Sequence, residues 1–166
     1  MIDPLILGGA EAPEGEGTEE VLAPHTGEVL AVVPLASPSQ VEAALSSASA
    51  ARVATGELPT WRRAEILRDI AARVERDQEG MAQTISREAG KPIDLARGEV
   101  ARCVETFRFA SDELRCDRGD TIPLDATSRG AGKWGLTRRF GAGPVGAITP
   151  FNFPLNLVAH KVAPAV

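Results

Sequence analysis

The sequence predicts an α/β protein, and three observations carry that prediction. Strand-like runs around a glycine turn come first, four stretches between Ser37 and Cys116 then repeat apolar residues at helical spacing, and a short apolar run, Val145-Gly146-Ala147-Ile148-Thr149, follows. A run of that last kind fits a strand buried on both faces, as in a parallel sheet. The chain has 166 residues, 43% hydrophobic and 25% charged, enough for one domain with a core and unlike a fibre or a disordered chain.

Taken in order, residues 8–19 mix glycine, proline and acids and read as a surface loop. Residues 20–23 and 28–34 read as two strands around Pro24-His25-Thr26-Gly27, where glycine supplies the positive φ of a tight hairpin and His25 is a turn residue. Ser37-Pro38-Ser39-Gln40 is a capping box with proline at the first helical position, and Val41, Ala44, Leu45 and Ala48 then share one face of a helix ending before Thr55-Gly56. A second helix starts after Thr60 with Ala64, Leu67, Ile70, Ala71 and Val74 inward and Gly80 as its C-cap; its arginines alternate with acids as a solvated, salt-bridged face. A third runs from Met81 to Ala89 and stops at Gly90. The fourth, from Pro92 to about Cys116, carries Val100, Cys103, Val104, Phe107, Ser111 and Leu114 on one stripe. Residues 120–124 and 133–140 then read as a β-ribbon, residues 145–149 as the buried strand, and Pro154 opens a final apolar helix over 155–166. A single buried strand and an apolar helix cannot complete a parallel sheet, so the chain reads as the front of something larger.

Charge and cysteine content narrow the function classes. The formal charge is −5, from 18 basic and 23 acidic residues, and the first 56 residues carry eight acids against Arg52 alone. That balance argues against a nucleic-acid partner or an anionic membrane surface. No apolar run reaches the roughly 18 residues that span a membrane, and the start, Met1-Ile2-Asp3-Pro4-Leu5, has no basic leader. Cys103 and Cys116 fall at different heights on one helix, too far apart for a disulfide, which reads as reduced, cytoplasmic thiols. No phosphate-cradling glycine loop occurs, against a free-standing nucleotide-binding module, and no metal site is assigned.

The most informative stretch is Ile148-Thr149-Pro150-Phe151-Asn152-Phe153-Pro154. At the carboxyl edge of a sheet, the Asn152 amide can donate a hydrogen bond to a developing oxyanion, or the residue can serve as an N-cap for the helix that Pro154 opens; the residues alone leave both open. The segment resembles the Pro-aromatic-Asn-Phe-Pro motif of the aldehyde dehydrogenase superfamily. Thr26-Gly27-Glu28, Trp61-Arg62-Arg63-Ala64-Glu65-Ile66-Leu67, Glu88-Ala89-Gly90-Lys91-Pro92, Arg97-Gly98-Glu99-Val100 and Gly119-Asp120-Thr121-Ile122-Pro123 are similar to that family's other landmarks, in order, over about residues 20–166.

The resemblance implies an incomplete Rossmann-like fold. Residues 1–118 would form the helical part of the cofactor-binding domain, 119–142 an oligomerisation ribbon, and 143–166 the start of the sheet with its first strand. It implies an NAD- or NADP-dependent oxidation of an aldehyde to a carboxylic acid, by a homodimer or homotetramer. In the family, the asparagine matching Asn152 donates to the thiohemiacetal oxygen, and residues matching Ile148, Thr149, Pro150 and Phe151 line the nicotinamide end of the cleft. Phe153 and His160 match tunnel positions. The nucleophilic cysteine and general-base glutamate lie beyond the equivalent of residue 166, and Cys103 and Cys116 are no substitutes, so the 166 residues alone are expected to be inactive. Arg102 falls near the tunnel wall, where a guanidinium would select an anionic aldehyde. Equally open is a pairing of Arg102 with Glu99 or Glu105 on its own helix. The competing reading is a naturally short, non-catalytic relative that binds full-length partners through the ribbon.

Overall fold

The computed structural model describes residues 6–7, 9–11, 15–116 and 119–166. β1 (Ile6–Leu7) and β2 (Ala10–Glu11) pair antiparallel around Gly9, whose φ of +85° allows the reversal. The loop expected over 8–19 therefore contains a strand, while residues 8 and 12–14 of it lie outside the described residues. The main hairpin joins β3 (Gly17–Leu22) to β4 (Val29–Leu35). Its turn is closed by Ala23 N donating to Glu28 O and Gly27 N donating to Ala23 O, both at 2.8 Å, with Gly27 at φ +72° and His25 exposed in the turn, as the sequence predicts.

Helix α1 (Pro38–Glu57) starts with the expected capping box: Ser37 Oγ accepts from Gln40 N at 3.2 Å, and Gln40 Oε1 accepts from Ser37 N at 2.8 Å. It continues through Thr55-Gly56, where the sequence predicts a stop. The reason lies outside the helix: the Arg63 guanidinium donates to the carbonyls of Thr55, Gly56 and Leu58 at 3.0, 3.3 and 3.2 Å, satisfying the open C-terminal acceptors with a cation. The predicted apolar face finds no cover in the described residues, with Val41 49% and Leu45 54% exposed.

The core is built by α2 (Thr60–Arg76), α3 (Gln78–Ala89) and α4 (Ile93–Glu113). Leu67, Ala71 and Val74 of α2 meet Ala82 and Ile85 of α3 and Ala96, Val100, Cys103, Val104 and Phe107 of α4 in one cluster. Ser111 Oγ adds a buried hydrogen bond, donated to Ala64 O at 2.9 Å, between α4 and α2. Gly80 does not cap α2, contrary to expectation. Asp77 ends α2 at φ −107°, and its carboxylate occupies the space beside Gly80, where a Cβ would lie 2.4 Å from Asp77 Oδ1. Gly90 does close α3, at φ +62°. Arg97 clasps Glu79 through two bonds of 2.9 Å, tying α4 to α3 and holding the exposed Glu79 carboxyl below its usual range.

Beyond α4 the ribbon is much shorter than predicted. Only β5 (Thr121–Ile122) and β6 (Gly135–Leu136) pair, because Pro123 has no N–H for a ladder and the chain then folds into 3₁₀ turns at Leu124–Ala126 and Ser128–Gly130. The expected strand at 145–149 does not form: Val145 is 63% and Ile148 91% exposed. A strand of that type needs a neighbour to bond, and none of the described residues supplies one. The last helix, α5 (Asn156–Val162), starts one residue later than predicted, passes into a 3₁₀ turn at Ala163–Ala165, and joins the core through Ala159 and Ala163. Among the described residues, no helix is long and apolar enough to cross a membrane.

Candidate functional site

The site is the turn 150–155 between the irregular segment and α5, held against the N-terminal half of α4. Asn152 is not the helix cap: Leu155 occupies the N-cap position, and no side chain of the turn bonds back to the helix start. The amides that a cap would serve instead reach Glu99 on α4, whose Oε1 accepts from Leu155 N at 2.9 Å and Asn156 N at 3.2 Å. Glu99 is fully buried, at 0% exposure, and its other oxygen pairs with Lys91 Nζ. That ammonium also donates to Asn152 O at 3.0 Å and lies 4.2 Å from the centre of the Phe153 ring. Burial of the carboxylate is tolerable because each oxygen has a strong donor.

Arg102, one turn beyond Glu99, places its guanidinium carbon 4.9 Å from the Phe153 ring centre. Among the described residues no ion pair joins it to Glu99 or Glu105, the same-helix partners considered for it; Glu99 is committed to Lys91. Four residues thus converge on this turn: Lys91 from the link between α3 and α4, Arg102 from α4, and Asn152 and Phe153 from the turn itself. His160 stands one step aside, its Nε2 3.3 Å from Asn156 Nδ2, while Asn156 Oδ1 lies 3.2 Å from Thr106 Oγ1 on α4. Ile148, Thr149, Pro150 and Phe151 are not drawn into this cluster. They run along the exposed approach to it, with Phe151 62% exposed. The sequence places Lys91 and Glu99 in landmark strings, and Glu99 also as an ion-pair partner for Arg102, and gives neither a role in holding the turn. The available signal was an acid standing between Ala96 and Cys103 on a stripe of buried positions.

Cys103 lies one turn beyond Glu99 and is buried at 1% exposure, whereas Cys116 is exposed. Burial first, and the Glu99 carboxylate second, push the Cys103 thiol up from 9.0 to about 11. The unfolded chain therefore loses this proton before the folded one. Stability from this group is intact below pH 9 and drains away as pH rises through about 11. Native protein at neutral pH is expected to yield one thiol, Cys116, to a thiol reagent. Two rapidly reacting thiols before unfolding would contradict this burial.

Known proteins resemble this chain over most of its length. The model of the "Aldehyde dehydrogenase family" matches residues 11–166. Aspartate-semialdehyde dehydrogenase 1 of Pseudomonas canavaninivorans is 39% identical over 147 residues, which are 89% of this chain and 31% of that protein. The structure of aldehyde dehydrogenase 21 from Physcomitrella patens, in complex with the reaction product succinate, superposes with a TM-score of 0.93 at 38% identity, over 99% of this chain and 34% of that one. NADP-dependent glyceraldehyde-3-phosphate dehydrogenase from Bacillus halodurans C-125, complexed with NADP, also gives 0.93, at 31% identity, over 99% and 35%. The chain thus spans about a third of the length of these relatives and shares their α/β, partly Rossmann-like fold. With that match running from residue 11 to residue 166, through every helix of the core and the Asn152 turn, the chain belongs to the aldehyde dehydrogenase family.

Proposed function

We propose that the chain is the N-terminal part of an NAD(P)-dependent aldehyde dehydrogenase that oxidises a short, anionic aldehyde to its carboxylic acid. The observation that carries this reading is Arg102, an exposed guanidinium with no carboxylate partner among the described residues, lying over the ring of Phe153, the residue that follows Asn152. A cation in such a place suits a carboxylate, phosphate or sulfonate on the substrate, which its fork of donors can grip in pairs. Two relatives agree in chemistry, one named for a semialdehyde of aspartate and one in complex with succinate.

In this reading the Asn152 amide donates to the oxygen that gains charge when a thiolate from outside this stretch adds to the aldehyde carbon. Phe153 lines the path of the substrate, and His160 adds a second donor toward its anionic end. The exposed Ile148 and Phe151 fit one wall for the nicotinamide, with Thr149 and Pro150 between them contributing backbone groups. NAD or NADP, when bound, supplies the acceptor for the hydride. Residues 119–142, whose Trp134 and Leu136 are 84% and 79% exposed, would join copies of the enzyme into a dimer or tetramer in the cytoplasm.

Assay of the complete enzyme with a carboxylated semialdehyde and with propanal tests the proposal. Reduced nicotinamide should form faster from the semialdehyde at equal low concentration, and residues 1–166 alone should form none. A preference for propanal would remove the anionic substrate class. The second reading, a short non-catalytic relative docking through the ribbon, draws on the same exposed Trp134 and Leu136. An intact mass near 17.5 kDa from the source would support it, and a mass severalfold larger the enzyme.

A further inference from the structure

Glu99 is the only acid buried among the described residues, and it lies in the α4 stripe that otherwise holds Ala96, Val100 and Cys103. A carboxylate at such a position weakens a core unless it fixes something, because an apolar side chain of similar size would pack there without loss of hydration. What it fixes is legible from its contacts. One oxygen accepts the amides of Leu155 and Asn156, and the other holds the Lys91 ammonium, which reaches on to the carbonyl of Asn152. Both ends of the five-residue stretch 152–156 are thus tied to one ion pair. The first four of these residues belong to no helix or strand; Leu157 N bonds Phe153 O and Ala159 N bonds Leu155 O, while Asn152 O is held by Lys91.

We propose that the Lys91–Glu99 pair is a positioning clamp for the turn: it fixes the peptide at Asn152, and through it the direction of that residue's amide, without touching substrate. This inference rests on the reading of Asn152 as the oxyanion donor in aldehyde oxidation. It makes the pair matter to the chemical step more than to binding, since a donor displaced by a fraction of its hydrogen-bond length loses its advantage in the transition state first.

The test is a double-mutant cycle in the complete enzyme, measuring kcat and KM for wild type, Glu99→Gln, Asn152→Ala and the double variant. Glutamine keeps the size of the side chain and one acceptor but removes the charge that holds Lys91. The expected result is a fall in kcat of about tenfold or more for Glu99→Gln with KM for the cofactor little changed. The double variant should be no slower than Asn152→Ala alone, within about twofold, because both changes disable one device. Lys91→Met, at the 14% exposed rim of the pair, is carried through the same cycle with the same expectation and decides the matter if Glu99→Gln does not fold. Losses that multiply in the double variant, or a first variant with wild-type kcat, overturn the clamp while leaving the enzymatic reading intact. A wild-type enzyme that oxidises no aldehyde overturns that reading and the clamp with it.

Discussion

Asn152→Ala in the complete enzyme is expected to lower turnover by about 10²- to 10³-fold, the usual cost of removing one preorganised oxyanion donor. The other role open to this residue, capping the final helix, is excluded by Leu155 at the N-cap and by Glu99 accepting the amides at the helix start. The substitution should therefore leave α5 in place. Asn152 is exposed, so its removal opens no cavity, and thermal stability should change little. Single-turnover measurement of the reduction step, compared with cofactor affinity, separates the outcomes: a slow chemical step with unchanged binding is expected, and near-normal turnover would deny the amide any role in the reaction.

Arg102→Leu should act on the other side of the kinetics. A charge-assisted bond to a substrate anion contributes about 1.5 to 3 kcal/mol, so KM for a carboxylated semialdehyde is expected to rise roughly 10- to 100-fold. For propanal the change should stay within about twofold, since no group on that molecule meets the guanidinium. Leucine keeps an apolar contact with Phe153, so the comparison isolates charge from packing. Arg102→Lys should restore only part of the affinity, because an ammonium cannot present paired donors to a carboxylate. Equal losses on both aldehydes would mean that Arg102 only supports the Phe153 ring.

What could be read from the sequence was whatever depends on neighbours along the chain. The Ser37–Gln40 box, the Gly27 turn, the Gly90 stop and the α4 stripe all involve residues within a few positions of each other, and the structure has each of them. The errors have distant causes. Helix α1 outran its expected end because Arg63, beyond the next turn, bonds its last carbonyls. Gly80 was displaced as a cap by Asp77, whose side chain needs the space that glycine leaves. Residues 145–149 have the composition of a buried strand and no strand to pair with among the described residues. Asn152, Phe153 and Arg102 are singled out by a motif and a register, and their roles remain proposals. Glu99 and Lys91 act on residues more than fifty positions away, which no periodicity reveals.

That same separation bears on the order in which the molecule assembles. The contacts of α2, α3 and α4 lie within residues 60–113, the Ser111–Ala64 bond across 47 positions among them, whereas Lys91 meets Asn152 across 61 positions and Glu99 meets Leu155 across 56. Loop closure of either size costs chain entropy, but the helices repay it with a shared apolar cluster and the turn with a few polar contacts, so the helical core should be in place first and the turn should dock onto it afterwards. Pulse-labelled hydrogen exchange during refolding of the complete enzyme is expected to protect the amides of Leu67 and Val100 ahead of those of Leu155 and Asn156; simultaneous protection would contradict this sequence. The residues proposed for catalysis would then be a late addition to a framework that is already standing, and a newly made chain would hold a folded core for a time before it has a working site.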